Sequence, residues 1–182
     1  MNYEIVNLEE KRVVGLAART NNQSPEMGAV IGGLWEKFYG EGVYAQIENK
    51  TSDKALGIYT DYAGGAMDDY DILSSKQSEL QDRIYAETPQ PMAGRSLSYT
   101  IMVACEAAES ETTPKETVVK TIPAGSYAKF VVKGDMHTAV ANCWMEIWSM
   151  DLPRAFISDF EEYQDDCMDG DAEIHIYVGL KK

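Results

Sequence analysis

The chain has 182 residues, 45% hydrophobic and 25% charged, with a formal net charge of −14. That length predicts one domain with a sizeable core, and the acidity argues against autonomous nucleic-acid binding, which needs a basic surface to displace counterions from phosphates. The same charge is compatible with cationic ligands or a basic protein partner, although its ordinary role is solubility.

The three cysteines, Cys105, Cys143 and Cys167, are too irregularly spaced for a disulfide framework or a zinc ribbon. His137 and His175 are too few and too isolated for a metal site, and no cofactor motif is present. The opening Met1-Asn2-Tyr3-Glu4 has neither a basic region nor an apolar run, and no apolar stretch approaches bilayer length. A cytoplasmic protein that does not engage a membrane is expected.

Along the chain, residues 3–8 alternate as a strand and residues 12–19 form a second, so a hairpin is predicted at the start. Ser24-Pro25-Glu26 reads as the cap and first turn of a helix that places Met27, Val30 or Ile31, Leu34 and Phe38 on one face, with Trp35 alongside. Gly40 and Gly42 end it. Strands are predicted over residues 54–62 and 99–106. Residues 118–122, a Pro123-Ala124-Gly125 turn and residues 127–133 suggest a second hairpin. In the helix that follows, Val140, Trp144, Ile147 and Trp148 recur three or four apart until Leu152-Pro153 stops it. Asp159-Phe160-Glu161-Glu162-Tyr163 is an extended segment. A turn through Asp169-Gly170-Asp171 leads into the alternating strand 173–178.

The two halves rhyme: hairpin, helix with Trp35, strand, strand, then hairpin, helix with Trp144, strand, strand. The expected fold is α+β, built from tandem pseudo-symmetric β-α-β-β repeats, with an antiparallel sheet and two main helices flanking a central cleft. Repeat one covers residues 1–107, with an insertion over about 70–98, and repeat two covers about 116–182. Within the insertion, residues 74–86 have helical character and residues 88–94 form a Pro/Gly loop. The segment reads either as a surface excursion or as a lid over the cleft.

Several stretches, in this order, resemble the GyrI-like small-molecule-binding family, also called the bacterial effector-binding domain. They are Tyr3-Glu4-Ile5-Val6, Lys11 to Leu16, Leu34-Trp35-Glu36-Lys37-Phe38, Gly57 to Tyr62, Ile122 to Ala128, Trp144, Asp159 to Tyr163, and the closing strand. The resemblance covers nearly the whole chain. It implies an aromatic-lined central pocket with one acidic residue at its floor. Family members include effector domains of multidrug-resistance regulators that bind lipophilic cations, a gyrase-inhibitory type, and hydrolases of genotoxic compounds. Two departures are the long insertion and Asp151-Leu152-Pro153, where the family commonly has Trp-Leu-Pro.

By this resemblance Glu161 matches the pocket glutamate. A carboxylate among aromatic rings is disfavoured by desolvation, so its pKa should rise unless a cation compensates. Its neighbour Glu162 should point to the opposite, exposed face. Trp35, Trp144, Tyr59, Tyr163 and Phe38 are candidates to line the cleft by stacking and cation–π contact. Core filling is the alternative for each, and is favoured for Phe38 and Trp148. His175 is expected on the surface, and residues 165–171 as a solvated acidic turn.

Three functions follow. The first is a stand-alone binder of a lipophilic cationic or planar small molecule, acting in sensing or sequestration. The second is a hydrolase in which Glu161 activates water and Tyr59 assists as a donor. The third is an acidic protein inhibitor that binds a topoisomerase by mimicking nucleic-acid charge, the possible protein partners being a regulator or a topoisomerase.

Overall fold

A computed structural model describes residues 1–63, 98–164 and 172–182. The elements in chain order are β1 (Glu4–Leu8), β2 (Lys11–Asn21), α1 (Met27–Trp35), a π-helical turn (Glu36–Gly40), α2 (Val43–Gln46), β3 (Lys50–Thr60), β4 (Ser98–Ala107), β5 (Val118–Ile122), β6 (Gly125–Gly134), α3 (Met136–Ser149), β7 (Arg154–Tyr163) and β8 (Ala172–Leu180). The predicted insertion helix and loop lie outside the described residues, as do the acidic turn and Cys167.

The described strands form one antiparallel sheet in the order β1-β6-β8-β7-β3-β4-β2-β5. Matched as β1 with β5, β2 with β6, β3 with β7 and β4 with β8, this order reads the same from either edge. Its centre is the β3–β7 pair, where Ile58 lies opposite Phe160. The fold is therefore the pseudo-symmetric α+β arrangement expected.

The two predicted hairpins do not form. β1 pairs with β6, Val6 opposite Tyr127, and β5 pairs with β2, Val13 opposite Lys120. Each half thus lends its first strand to the other half's edge. The connections explain this. Tight hairpins favour residues that accept positive φ, as in Asn-Gly or Gly-Gly, whereas Glu9-Glu10 and Pro123-Ala124 stay at negative φ. The Tyr127 hydroxyl holds the second bend by donating to the Pro123 carbonyl at 2.8 Å.

Strand alternation sorts the core onto two faces. On one face, α3 covers Ala128, Phe130, Val132, Ile174 and Ile176, while α2 and the π-helical turn cover Val14, Leu16, Val103 and Cys105. On the other face, no described helix is needed. Val13 and Ile122 near one edge join Leu56, Ile58, Phe160, Tyr127 and Tyr177 in a single cluster. Strands so far apart share one core only because the sheet curls around that face.

Helix α3 starts as its sequence dictates, with the Asp135 carboxylate accepting the Thr138 backbone N–H at 2.9 Å. Helix α1 starts at Met27 rather than at Ser24-Pro25, because Ser24 is used in a local turn that accepts the Met27 N–H on its carbonyl. Its apolar side chains are only half-buried.

Candidate functional site

The helix-facing side of the two central strands is not apolar. It carries Gly57 and Tyr59 from β3, and Asp159, Glu161 and Tyr163 from β7. In register, Gly57 lies opposite Glu161 and Tyr59 opposite Asp159. This strip separates the core under α3 from the core under α2. Tyr59 and Tyr163 pack against the first core, Trp35 packs against the second, and Trp144 is part of the first.

Glu161 is only 3% exposed. Its Oε1 accepts the Trp144 indole N–H at 2.6 Å and the Tyr59 hydroxyl at 2.8 Å, and its Oε2 accepts the Tyr163 hydroxyl at 2.7 Å. Burial pushes its pKa above the usual carboxylate value, and the donors from Trp144, Tyr163 and Tyr59 pull partly against this. Among the described residues no cationic side chain forms an ion pair with it. The charge reaches its neighbours too: burial and Glu161 together push Tyr99 up to about 12 and hold Tyr59 well above its ordinary value.

Aromatic rings enclose this carboxylate. Tyr59 meets Trp144 edge-on with centroids 5.3 Å apart, and meets Tyr99 at 5.6 Å. Trp35 meets Tyr163 edge-on at 4.8 Å. Four of the predicted lining residues, Trp35, Trp144, Tyr59 and Tyr163, are thus brought together around Glu161. Phe38 is not with them. It is 0% exposed and sits in the core with Val14, Leu16 and Val43, its ring against Tyr44, and Leu34 one turn earlier packs against the same core.

Two further expectations are corrected. Glu162 does point away from Glu161, but the curled sheet covers it to 9% exposure. It accepts from Lys54 Nζ at 3.3 Å and Gln164 Nε2 at 2.9 Å. His175 is half-buried rather than on the surface. Its ring lies opposite Glu162 in register and has its Nε2 2.9 Å from a Glu173 oxygen.

Sequence reading missed a second buried acid on the same face. Asp159 is 0% exposed, and its Oδ2 accepts from Arg154 Nη2 at 2.5 Å and from the Tyr62 hydroxyl at 2.7 Å. The register of β7 against β8 shifts between Arg154 and Asp159, with Phe156 at φ 53°. Asp159 Oδ1 accepts the Gly179 backbone N–H beside this bulge at 2.8 Å. The signal that would have found it is the i, i+2 spacing of Asp159 and Glu161 on one strand face. Of these two acids, Asp159 has a cation and, among the described residues, Glu161 has none.

A curled antiparallel sheet with an aromatic-walled polar strip between two helical layers is the architecture of a small-molecule-binding domain. The chain belongs to the GyrI-like small molecule binding domain family, whose model matches residues 1–181. No curated protein matches the sequence. Among solved structures it is similar to an integron cassette protein from the mobile metagenome of Vibrio cholerae, at TM-score 0.64 and 24% identity, over 98% of this chain and 95% of that one. It is similar to a putative transcription regulation protein from Staphylococcus aureus MU50, at TM-score 0.67 and 18% identity, over 100% and 99%. It is also similar to SAV2435 bound to tetraphenylphosphonium, at TM-score 0.68 and 20% identity, over 100% and 94%. At these identities the structural likeness establishes the shared fold. Among the described residues no helix is long and apolar enough to cross a membrane.

Proposed function

We propose that this protein binds lipophilic organic cations between α1 and α3, with Glu161 as the charge-reading group and Trp35, Trp144, Tyr59 and Tyr163 as aromatic walls. One observation carries the reading. Glu161 is a buried carboxylate held by three neutral donors, with no cation of the protein's own bonded to it among the described residues. Burying such a charge is costly, and a bound cation offsets that cost while ring faces supply cation–π attraction. The tetraphenylphosphonium carried by the similar SAV2435 structure is a ligand of this chemical class. The biological role would be sensing or sequestration of such compounds.

The test is a titration of the purified protein with tetraphenylphosphonium and a panel of planar aromatic cations, followed by tryptophan fluorescence, for wild type and Glu161→Gln. Micromolar quenching that weakens about tenfold or more in the variant is expected, since a hydrogen-bonded charge is worth about 1.5–3 kcal/mol. Equal binding by both proteins, or binding of none of the panel, sinks the proposal.

The Tyr59 hydroxyl lying 2.8 Å from Glu161 favours a second reading, in which the pair act as acid and base in a hydrolysis. Product formation from a strained electrophilic substrate, abolished in both Glu161→Gln and Tyr59→Phe, would move this reading ahead of the first.

A further inference from the structure

The aromatic walls do not stop at the buried site. Tyr163, which donates to Glu161, meets the edge of Trp35 at 4.8 Å and 71°. Beyond Trp35 lies Tyr39, nearly parallel to it at 10° with centroids 6.2 Å apart. Tyr39 is 51% exposed. Three rings thus lead from solvent to the carboxylate in an unbroken contact series.

The backbone that carries Tyr39 is unusual in the same place. Glu36–Gly40 is a π-helical turn that continues directly from α1. Such turns take up an extra residue at a cost in regular hydrogen bonding and are frequent at functional sites. Within it Phe38 lies in the core and Tyr39 lies nearly parallel to Trp35. The rings around Tyr39 also attract cations already. Tyr44, 5.3 Å from Tyr39, has the Lys50 ammonium over its face at 4.8 Å from the centroid.

We propose that Tyr39 and Trp35 form an outer aromatic subsite on which an organic cation lands before it reaches Glu161. This rests on the binding function proposed above. The outer site reads π-face complementarity in contact with water, and the inner site adds the buried charge. A contact made only on the way in does not change the final affinity. It sets the stability of the encounter complex and hence the concentration at which the association rate saturates.

The experiment is stopped-flow mixing of the full chain with tetraphenylphosphonium over a wide concentration range, read by tryptophan fluorescence. Wild type, Tyr39→Phe, Tyr39→Leu and Tyr39→Ala are compared alongside an equilibrium titration of each. The observed rate for wild type should rise hyperbolically, with a half-saturating concentration that reports the encounter complex. Tyr39→Phe should match wild type. Tyr39→Leu and Tyr39→Ala should both raise the half-saturating concentration about fivefold while the equilibrium affinity stays within a factor of two.

A leucine that behaves like wild type would show that apolar bulk, not a ring face, is what matters, and would overturn the proposal. So would an unchanged half-saturating concentration in Tyr39→Ala, or a linear rate for wild type throughout, when Glu161-dependent binding is intact. Failure of wild type to bind at all, or binding indifferent to Glu161→Gln, is a different pattern. It overturns the binding function, and this subsite falls with it.

Discussion

Gly57 lies directly across from Glu161 on the neighbouring strand, and the glutamate's carboxylate occupies the space that a side chain at 57 would need. A Cβ placed on Gly57 would come within 3.0 Å of Glu161 Oε2 and 3.7 Å of Trp35 Cζ2. The glycine therefore belongs to the candidate site, since its missing side chain leaves the space that the carboxylate and the indole edge approach.

Gly57→Ala should leave the sheet intact but displace the carboxylate by a few tenths of an ångström, stretching the 2.7 Å bond from Tyr163. Weakening a charge-assisted bond of this kind predicts a roughly tenfold loss of affinity for tetraphenylphosphonium. Fluorescence titration, with circular dichroism as the check on folding, measures it. Unchanged affinity would show that the carboxylate position is not critical.

Burial raises the pKa of Glu161 in the folded protein above its ordinary value of 4.5. A raised folded-state pKa means that the contribution to stability is fully present below 4.5 and is lost as pH rises through the folded value. Glu161→Gln should therefore be more stable than wild type at neutral pH, with the advantage shrinking as pH falls towards 4.5. Cation binding should run the other way, strengthening as pH rises and the carboxylate ionises. Thermal unfolding and ligand titration over the same buffers test both trends. Parallel trends would contradict the assignment.

Trp144→Phe keeps an aromatic ring in the wall but removes the N–H that bonds Glu161 at 2.6 Å. That bond lowers the glutamate's pKa against the effect of burial, so its loss should raise the pKa further. The pH midpoint for cation binding should move upward, with affinity at neutral pH reduced. A titration series across pH distinguishes this shift from a uniform loss of affinity, which would mean the indole acts only by packing.

Arg154 and Asp159 form a buried ion pair 2.5 Å apart in which the acid is 0% exposed. Arg154→Met should destabilise the protein by about 3–5 kcal/mol, because it strands a buried charge. Adding Asp159→Asn should recover much of that loss. Urea denaturation of the single and double variants checks both. Equal destabilisation of the two would show that the arginine's packing against Phe156, 4.5 Å from its guanidinium, matters more than its charge.

Much of the fold was legible in the sequence because alternation and helical spacing are local. The strands around Tyr59, Tyr99, Tyr127 and Tyr177 follow from period-two patterns, and α3 follows from the spacing of Val140, Trp144 and Ile147. The candidate cluster was legible in its parts: Glu161, Trp35, Trp144, Tyr59 and Tyr163 were all singled out, and all five meet. Phe38, a cleft candidate for which core filling was favoured, lies in the core four residues on from Leu34, which packs against the same cluster.

Partner choice was not legible. Nothing in Val6 or Val13 states that each will pair with a strand from the other half, since pairing depends on where the curled sheet brings its edges. The same holds for Glu162 and His175, whose alternation marks a face but not whether that face is covered.

The sequence by itself determined the elements, the repeat of their order and the chemical types available to a site, because these depend on the residue and its near neighbours. Only the tertiary structure decided which carboxylate has no cationic partner among the described residues. Asp159 and Glu161 are two residues apart on one strand face, yet the bulge after Arg154 gives an arginine to the first and the opposing Gly57 gives only space to the second. Charge balance in a buried strip depends on side chains converging from distant parts of the chain, which no local pattern in the sequence states.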